Sequence, residues 1–230
     1  PTLKKFGRML PTAMAATVKL GVAPLLFVQL VYHRQVYSAA IVSGWWWLGV
    51  ILVAMVVYYA LYRSALQSEQ TGAINKPSLG LALIGLIYIS VTYSSVFSMA
   101  ERPEQIHALF RQNQSGWTLN PAVGDYGMRW LHMVLGALTV GGFFVGWIGR
   151  EQTAVYALGK RVFLWGMILA SIVGVAYLMS LRPILADLMR SPAMGSLTAG
   201  ILLAAGALHF FFKRKFIPSA AMVFVSMITM

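Results

Sequence analysis

The chain has 230 residues, 59% of them apolar and only 10% charged, a balance that excludes an ordinary soluble domain and makes the bilayer its natural solvent. A net charge of +12 invites a nucleic-acid reading. The lysines and arginines, however, gather at the ends of apolar stretches, as topology signals and headgroup anchors do, and no nucleic-acid partner is expected. The absence of cysteine removes cysteine-ligated iron–sulfur clusters, covalently attached c-type haem and thiol chemistry from this chain, while a noncovalently held b-type haem stays open.

The sequence begins at Pro1 without an initiator methionine or a signal sequence, as a processed or incomplete chain would. A first span is expected over 12–32, about 20 residues being enough to cross the hydrocarbon as a helix. Lys19 lies inside it, where a lysine costs about 2.5–3.5 kcal/mol unless it snorkels or meets a polar interior. Snorkelling toward the cytoplasmic end is the preferred reading. Gln29 and Tyr32, near the other end, suit either a quinone carbonyl or a bond between helices. His33 beside Arg34 reads as solvated.

The second span, 40–62, opens on Trp45, Trp46 and Trp47, and Trp130, Trp147 and Trp165 also fall near interface depth, so that all six read as an aromatic belt. The third span, 79–100, carries Tyr88, Thr92 and Ser95 on one face. Such hydroxyls can bind a quinone carbonyl, although hydrogen bonding between helices is their commoner use. Over 101–127, apolar residues at helical spacing through Ile106, Leu109 and Phe110 predict a short helix lying on the outer surface, with His107 solvated on it.

The fourth span, 128–149, holds the residues best suited to chemistry. His132 lies one turn in, about 6 Å deep at a rise of roughly 1.5 Å per residue, where a neutral imidazole can coordinate haem iron. Gly136, four residues on, shares its face and would let a flat porphyrin approach the backbone. Arg129, three residues earlier, suits a haem propionate. Gly141, Gly142 and Gly146 extend a small-residue surface. Equally open is the plainer reading, in which His132 donates one hydrogen bond to a neighbouring helix and the glycines serve close packing.

A fifth span is expected over 160–181, a weaker surface helix around Ile184–Met189, a sixth span over 194–212 and a seventh over 217–230. The last holds only 14 residues and stops in mid-pattern at Met230. His209 lies near the far end of the sixth span, some 16 Å from the level of His132 by roughly the same rise, and is read as an interface residue. A methionine is the natural second axial ligand. Met194 and Met179 lie near the right ends of their spans, with ordinary packing as the default for each.

The spans divide the cations between two faces. Eleven, including Lys4, Lys5, Arg8, Arg63, Lys160 and Lys215, fall on the side of the N-terminus, and six, Arg34, Arg102, Arg111, Arg129, Arg182 and Arg190, on the other. The bias puts the N-terminus in the cytoplasm. The expected fold is therefore all-α, a polytopic membrane helix bundle of about seven spans forming one transmembrane domain over 1–230, with both ends cut within a larger bundle.

The runs Leu10-Pro11-Thr12-Ala13-Met14-Ala15 and Leu20-Gly21-Val22-Ala23-Pro24-Leu25-Leu26-Phe27-Val28-Gln29, with Arg129-Trp130-Leu131-His132 and Gly141-Gly142-Phe143, resemble a group of bacterial membrane proteins distantly similar to subunit I of cytochrome bd quinol oxidases. That group often accompanies multihaem c-type cytochromes. The likeness covers about 1–150 in motif and the rest in topology alone. It implies that His132 ligates a low-spin b haem, that Met194 corresponds to the opposite ligand, and that a preceding family helix with another haem-ligating histidine is missing. It also implies a bacterial inner-membrane location, other membrane subunits, exchange with quinone or quinol, and a periplasmic c-type cytochrome partner. No glutamate lies inside a span to match the oxidase's ligands and proton path, the long quinol loop shrinks to 182–193, and Lys19 stands where the group has an uncharged residue. These departures count against dioxygen reduction and leave electron transfer through a respiratory complex as the expectation. A haem-free anchor or scaffold subunit is the alternative, and a solute transporter ranks below both.

Overall fold

The computed structural model describes all residues except Pro1, Ile74, Leu181 and Met230, and the side chains of residues 2–6, 125 and 182–184 also lie outside the described set. The side chains of Lys4, Lys5, Arg182 and Ile184, used above, are thus not described. Every regular element among the described residues is an α-helix. Six helices are long and apolar enough to cross a membrane, as a multi-pass bundle requires. The expected seventh span is a helix of only 14 residues, Phe216–Thr229, about 21 Å at 1.5 Å per residue and short of the roughly 30 Å hydrocarbon core.

The chain divides into two compact units, one ending at Gly127 and the other starting at Met128. In the first, α1 (Thr2–Val31) runs beside α3 (Gly44–Thr71), which packs along α4 (Lys76–Ala100). The sequence expectation left 33–39 as a connection, whereas α2 (His33–Val42) is helical and packs with α5 (Pro103–Gln112) over one end of α4. The expected surface helix is α5. Its Ile106 anchors it, joining Val36, Ala39, Val42, Val96 and Met99 in a buried cluster.

Local signals mark the helix ends. Asn75 accepts a 3.1 Å hydrogen bond from the Ser78 backbone N–H and Pro77 follows in the first turn of α4, the usual arrangement of cap and early proline. Gly72, at φ 71°, closes α3 in the left-handed region that favours glycine. At that same end, Arg8 and Glu69 form a 2.5 Å ion pair joining the start of α1 to the end of α3. It is exposed and contributes little to stability. Lys19 is exposed on α1.

The second unit contains most of α6 (Val123–Ile148), then α7 (Thr153–Ser180), the short α8 (Arg182–Arg190), α9 (Pro192–Phe212) and α10 (Phe216–Thr229). The fifth span begins earlier than expected, so the connection from α6 narrows to a tight turn, with Gln152 N–H donating to Gly149 O at 2.9 Å. The α9–α10 pair is tied by two buried serines, Ser219 donating to the Ala207 carbonyl at 2.7 Å and Ser226 to the Gly200 carbonyl at 2.9 Å. In an apolar medium these hydroxyls need such acceptors, and a backbone carbonyl one turn away or across the pair supplies them. Phe143, Phe163 and Phe211 close the core as mutually tilted or edge-on rings.

Candidate functional site

The α6–α7 contact is an antiparallel seam of small residues. A Cβ on Gly159 would overlap the backbone of Gly146, and one on Gly142 would lie 2.5 Å from the Phe163 amide nitrogen. A Cβ on Gly166 would lie 2.7 Å from the Thr139 hydroxyl. These positions admit no side chain, and their bareness lets two backbones meet where burial in lipid supplies no hydrophobic drive. Of the glycines read from the sequence as one surface, Gly142 and Gly146 belong to the seam, while Gly136 and Gly141 have nothing within 4 Å of a built Cβ. The partners on α7, Gly159, Gly166 and Gly174, were not singled out in the sequence, although their spacing of seven and eight residues is the period of such a seam.

His132 sits where the seam continues. Its Nδ1 is 2.9 Å from the carbonyl oxygen of Ala170 on α7. A carbonyl can only accept, so Nδ1 carries a proton, and in the neutral ring Nε2 then holds the lone pair. Gly174 makes the fit possible: a Cβ there would come within 2.8 Å of the imidazole Cε1. The ring is half-buried, Nε2 makes no hydrogen bond among the described residues, and it is not among the fully buried unpartnered atoms. Since the span begins at Tyr126, the histidine is six residues in, about 9 Å at 1.5 Å per residue and deeper than the sequence boundary implied.

The other residues expected at this site are disposed differently. Gly136 is half-buried and open on its side, one turn from His132. Arg129 is half-buried on the same helix, and its spacing keeps it on the His132 face. Met194 occupies the first turn of α9, half-buried, with its carbonyl taken by the Thr198 hydroxyl at 2.8 Å. No hydrogen bond joins it to His132 among the described residues. Met179 is exposed, as are His33, His107 and His209. Among the described residues no group of three or more His, Cys, Asp or Glu side chains gathers as a metal site would. A haem needs only an axial nitrogen and a flat approach. The lone pair of His132 Nε2 and the open flank at Gly136 fit that on one side of the ring.

In the first unit, two of the hydroxyls read from the third span, those of Tyr88 and Ser95, are engaged by the protein itself. Tyr88 donates to the Trp46 carbonyl at 2.9 Å, and Ser95 accepts from the Asn120 backbone N–H at 2.8 Å. The Asn120 amide also donates to Ser98 at 2.8 Å, while its Oδ1 accepts from the Ala122 N–H at 2.9 Å. The commoner of the two readings, a bond between helices, therefore accounts for Tyr88, whereas Ser95 holds a loop rather than a neighbouring helix. Nor are the three tryptophans of α3 solely a lipid belt. Trp45 stacks on Trp117 at 5.9 Å, and the Trp46 indole donates to the Trp117 carbonyl at 2.9 Å, pinning the 113–122 segment over the helix ends. Tyr32, by contrast, lines a cavity of about 480 Å³ with Gln35, Phe97 and Glu101, at the end of the unit carrying α2 and α5.

No protein-family profile matches the chain, and no curated protein or solved structure is significantly similar to it.

Proposed function

We propose that the chain is a membrane subunit of an electron-transfer complex that holds one b-type haem through His132. The observation that carries this reading is the 2.9 Å contact of His132 Nδ1 with the Ala170 carbonyl, which takes Nδ1–H as its donor, orients the ring and leaves Nε2 of the neutral ring as the ligating atom. Ligating histidines are commonly fixed in this way by a backbone carbonyl, which also raises the basicity of the coordinating nitrogen. Gly174 keeps the ring against α7, Gly136 leaves a flat flank, and Arg129 supplies a guanidinium for a propionate. When bound, the haem supplies reversible one-electron transfer. The protein's part is to orient the ligand, exclude water and set the potential.

The proposal extends to a bacterial inner membrane with the N-terminus in the cytoplasm, following the eleven-to-six cation bias, and to exchange between the quinone pool and a periplasmic c-type cytochrome. Met194 is the proposed second ligand. The cavity beside Tyr32 and Gln35 is the proposed place for a quinone head group, since a phenol and an amide are the donors its carbonyls need. Gln35→Leu should raise the apparent KM for a soluble quinol while leaving haem content unchanged. An unaltered KM removes the quinone from this cavity.

A haem-free anchor is the second reading. The same hydrogen bond, with the glycine seam, is a complete structural use of His132. A pyridine haemochrome assay on the purified full chain separates the two: stoichiometric haem supports the first reading, and its absence from the intact complex at this subunit supports the second.

A further inference from the structure

The basic end of the second unit carries a second candidate site, independent of any haem. Arg150, Lys160, Arg161, Lys213, Arg214 and Lys215 cluster in sequence around the α6–α7 and α9–α10 turns, against one acid, Glu151. Among the described residues no carboxylate lies within ion-pair reach of these six. Between the turns lies a cavity of about 550 Å³ lined by Trp147, Phe216 and Ile217 together with Arg150, Arg214 and Lys215.

Topology signals and helix C-terminal dipoles already favour cations at such an end, but two features exceed that need. The α9–α10 turn has the Schellman hydrogen-bond pattern, with Arg214 N–H donating to Phe211 O at 3.0 Å and Lys215 N–H to Phe210 O at 2.9 Å. The left-handed residue of that pattern is ordinarily glycine. Here it is Arg214, at φ 57°, a residue that also lines the cavity, at a conformational cost of about 1–2 kcal/mol. Secondly, aromatic faces hold the cations in place: Arg214 lies 4.6 Å from the Tyr156 ring centroid, Arg150 5.9 Å from that of Phe216, and Lys160 4.2 Å from that of Phe212. A guanidinium stacked on a ring keeps its edge N–H groups available for a two-pronged anion.

We infer that this cavity binds the phosphate of an anionic phospholipid, its headgroup on Arg150, Arg214 and Lys215 and its acyl chain along Phe216 and Ile217. A cavity lined by both apolar and basic side chains at a helix end matches such a lipid in both polarity and charge. The inference rests on the membrane reading alone and stands or falls separately from His132.

Native mass spectrometry of the detergent-solubilised full chain, offered equimolar phosphatidylglycerol and phosphatidylcholine, tests it. Wild type should retain phosphatidylglycerol in preference. Arg214→Gly, which suits the turn better and so keeps the fold, should lower that preference about fivefold. Combining it with Arg150→Gln and Lys215→Gln should abolish the preference, whereas removing three cations from the first unit (Arg34→Gln, Arg63→Gln, Lys76→Gln) should leave it intact. Equal retention of the two lipids by wild type, or an unchanged preference in Arg214→Gly, overturns the proposal. Complete displacement by millimolar inorganic phosphate would overturn it in favour of a free-phosphate site.

Discussion

The capped end of the first unit and the α6–α7 seam of the second handle polar groups in opposite ways. Over α3 and α4, Asn120 is 3% exposed and its amide and backbone groups meet Ser95, Ser98 and Ala122, while Tyr88 is occupied by the Trp46 carbonyl. Those bonds hold a loop on two helices. In the seam the contacts are between bare backbones, and the polar side chain at its end, His132, uses one nitrogen for position and keeps the other unbonded among the described residues. A buried polar network that is satisfied specifies structure. A ring with one committed nitrogen and one available nitrogen is what the proposed haem ligation requires.

This contrast can be broken at several points, of decreasing size. Gly159→Leu should be the most damaging, because the new side chain meets the Gly146 backbone, which cannot yield as a flexible side chain would. Overpacking of this kind costs about 1–3 kcal/mol or more, read as a large fall in melting temperature or folded yield in detergent. Asn120→Ala should follow, leaving the Ser95 contact through its backbone and the Ser98 bond to the Ser95 carbonyl but stranding the Ala122 N–H, at about 1–3 kcal/mol. Tyr88→Phe removes one bond to a carbonyl and should cost about 1 kcal/mol. Neither of these two first-unit variants should change haem content, and a matched loss of haem in either would erase the distinction between the two ends. Gly174→Ala should be the mildest in stability yet specific to the second end, since the methyl meets the imidazole edge at 2.8 Å. Its expected readout is a shifted absorption spectrum or midpoint potential at unchanged protein yield.

Much of the helical plan was legible because a bilayer demands long apolar runs, and residues 79–100 and 194–212 read almost as they fold. Boundaries failed where polar residues continue a helix. Lys160 and Arg161 suggested a span starting at 160, but Thr153 begins α7, and Lys160 is accommodated on the Phe212 ring. Likewise α2 was missed because His33 and Arg34 resemble loop residues, while Val36, Ala39 and Val42 supply the buried stripe that makes it helical. At the candidate site, His132 and Gly136 were visible in sequence as one face of one helix. Ala170 and Gly174 were not, since a backbone acceptor carries no sequence signature and becomes evident only when α7 is laid against α6.

The most direct test is the haem-to-protein ratio, by pyridine haemochrome, of full-length wild type and His132→Ala purified side by side, with Tyr88→Phe as the folded control. The account predicts a b-type signal near one haem per chain in wild type and Tyr88→Phe and its loss in His132→Ala. An equal ratio in all three would contradict it.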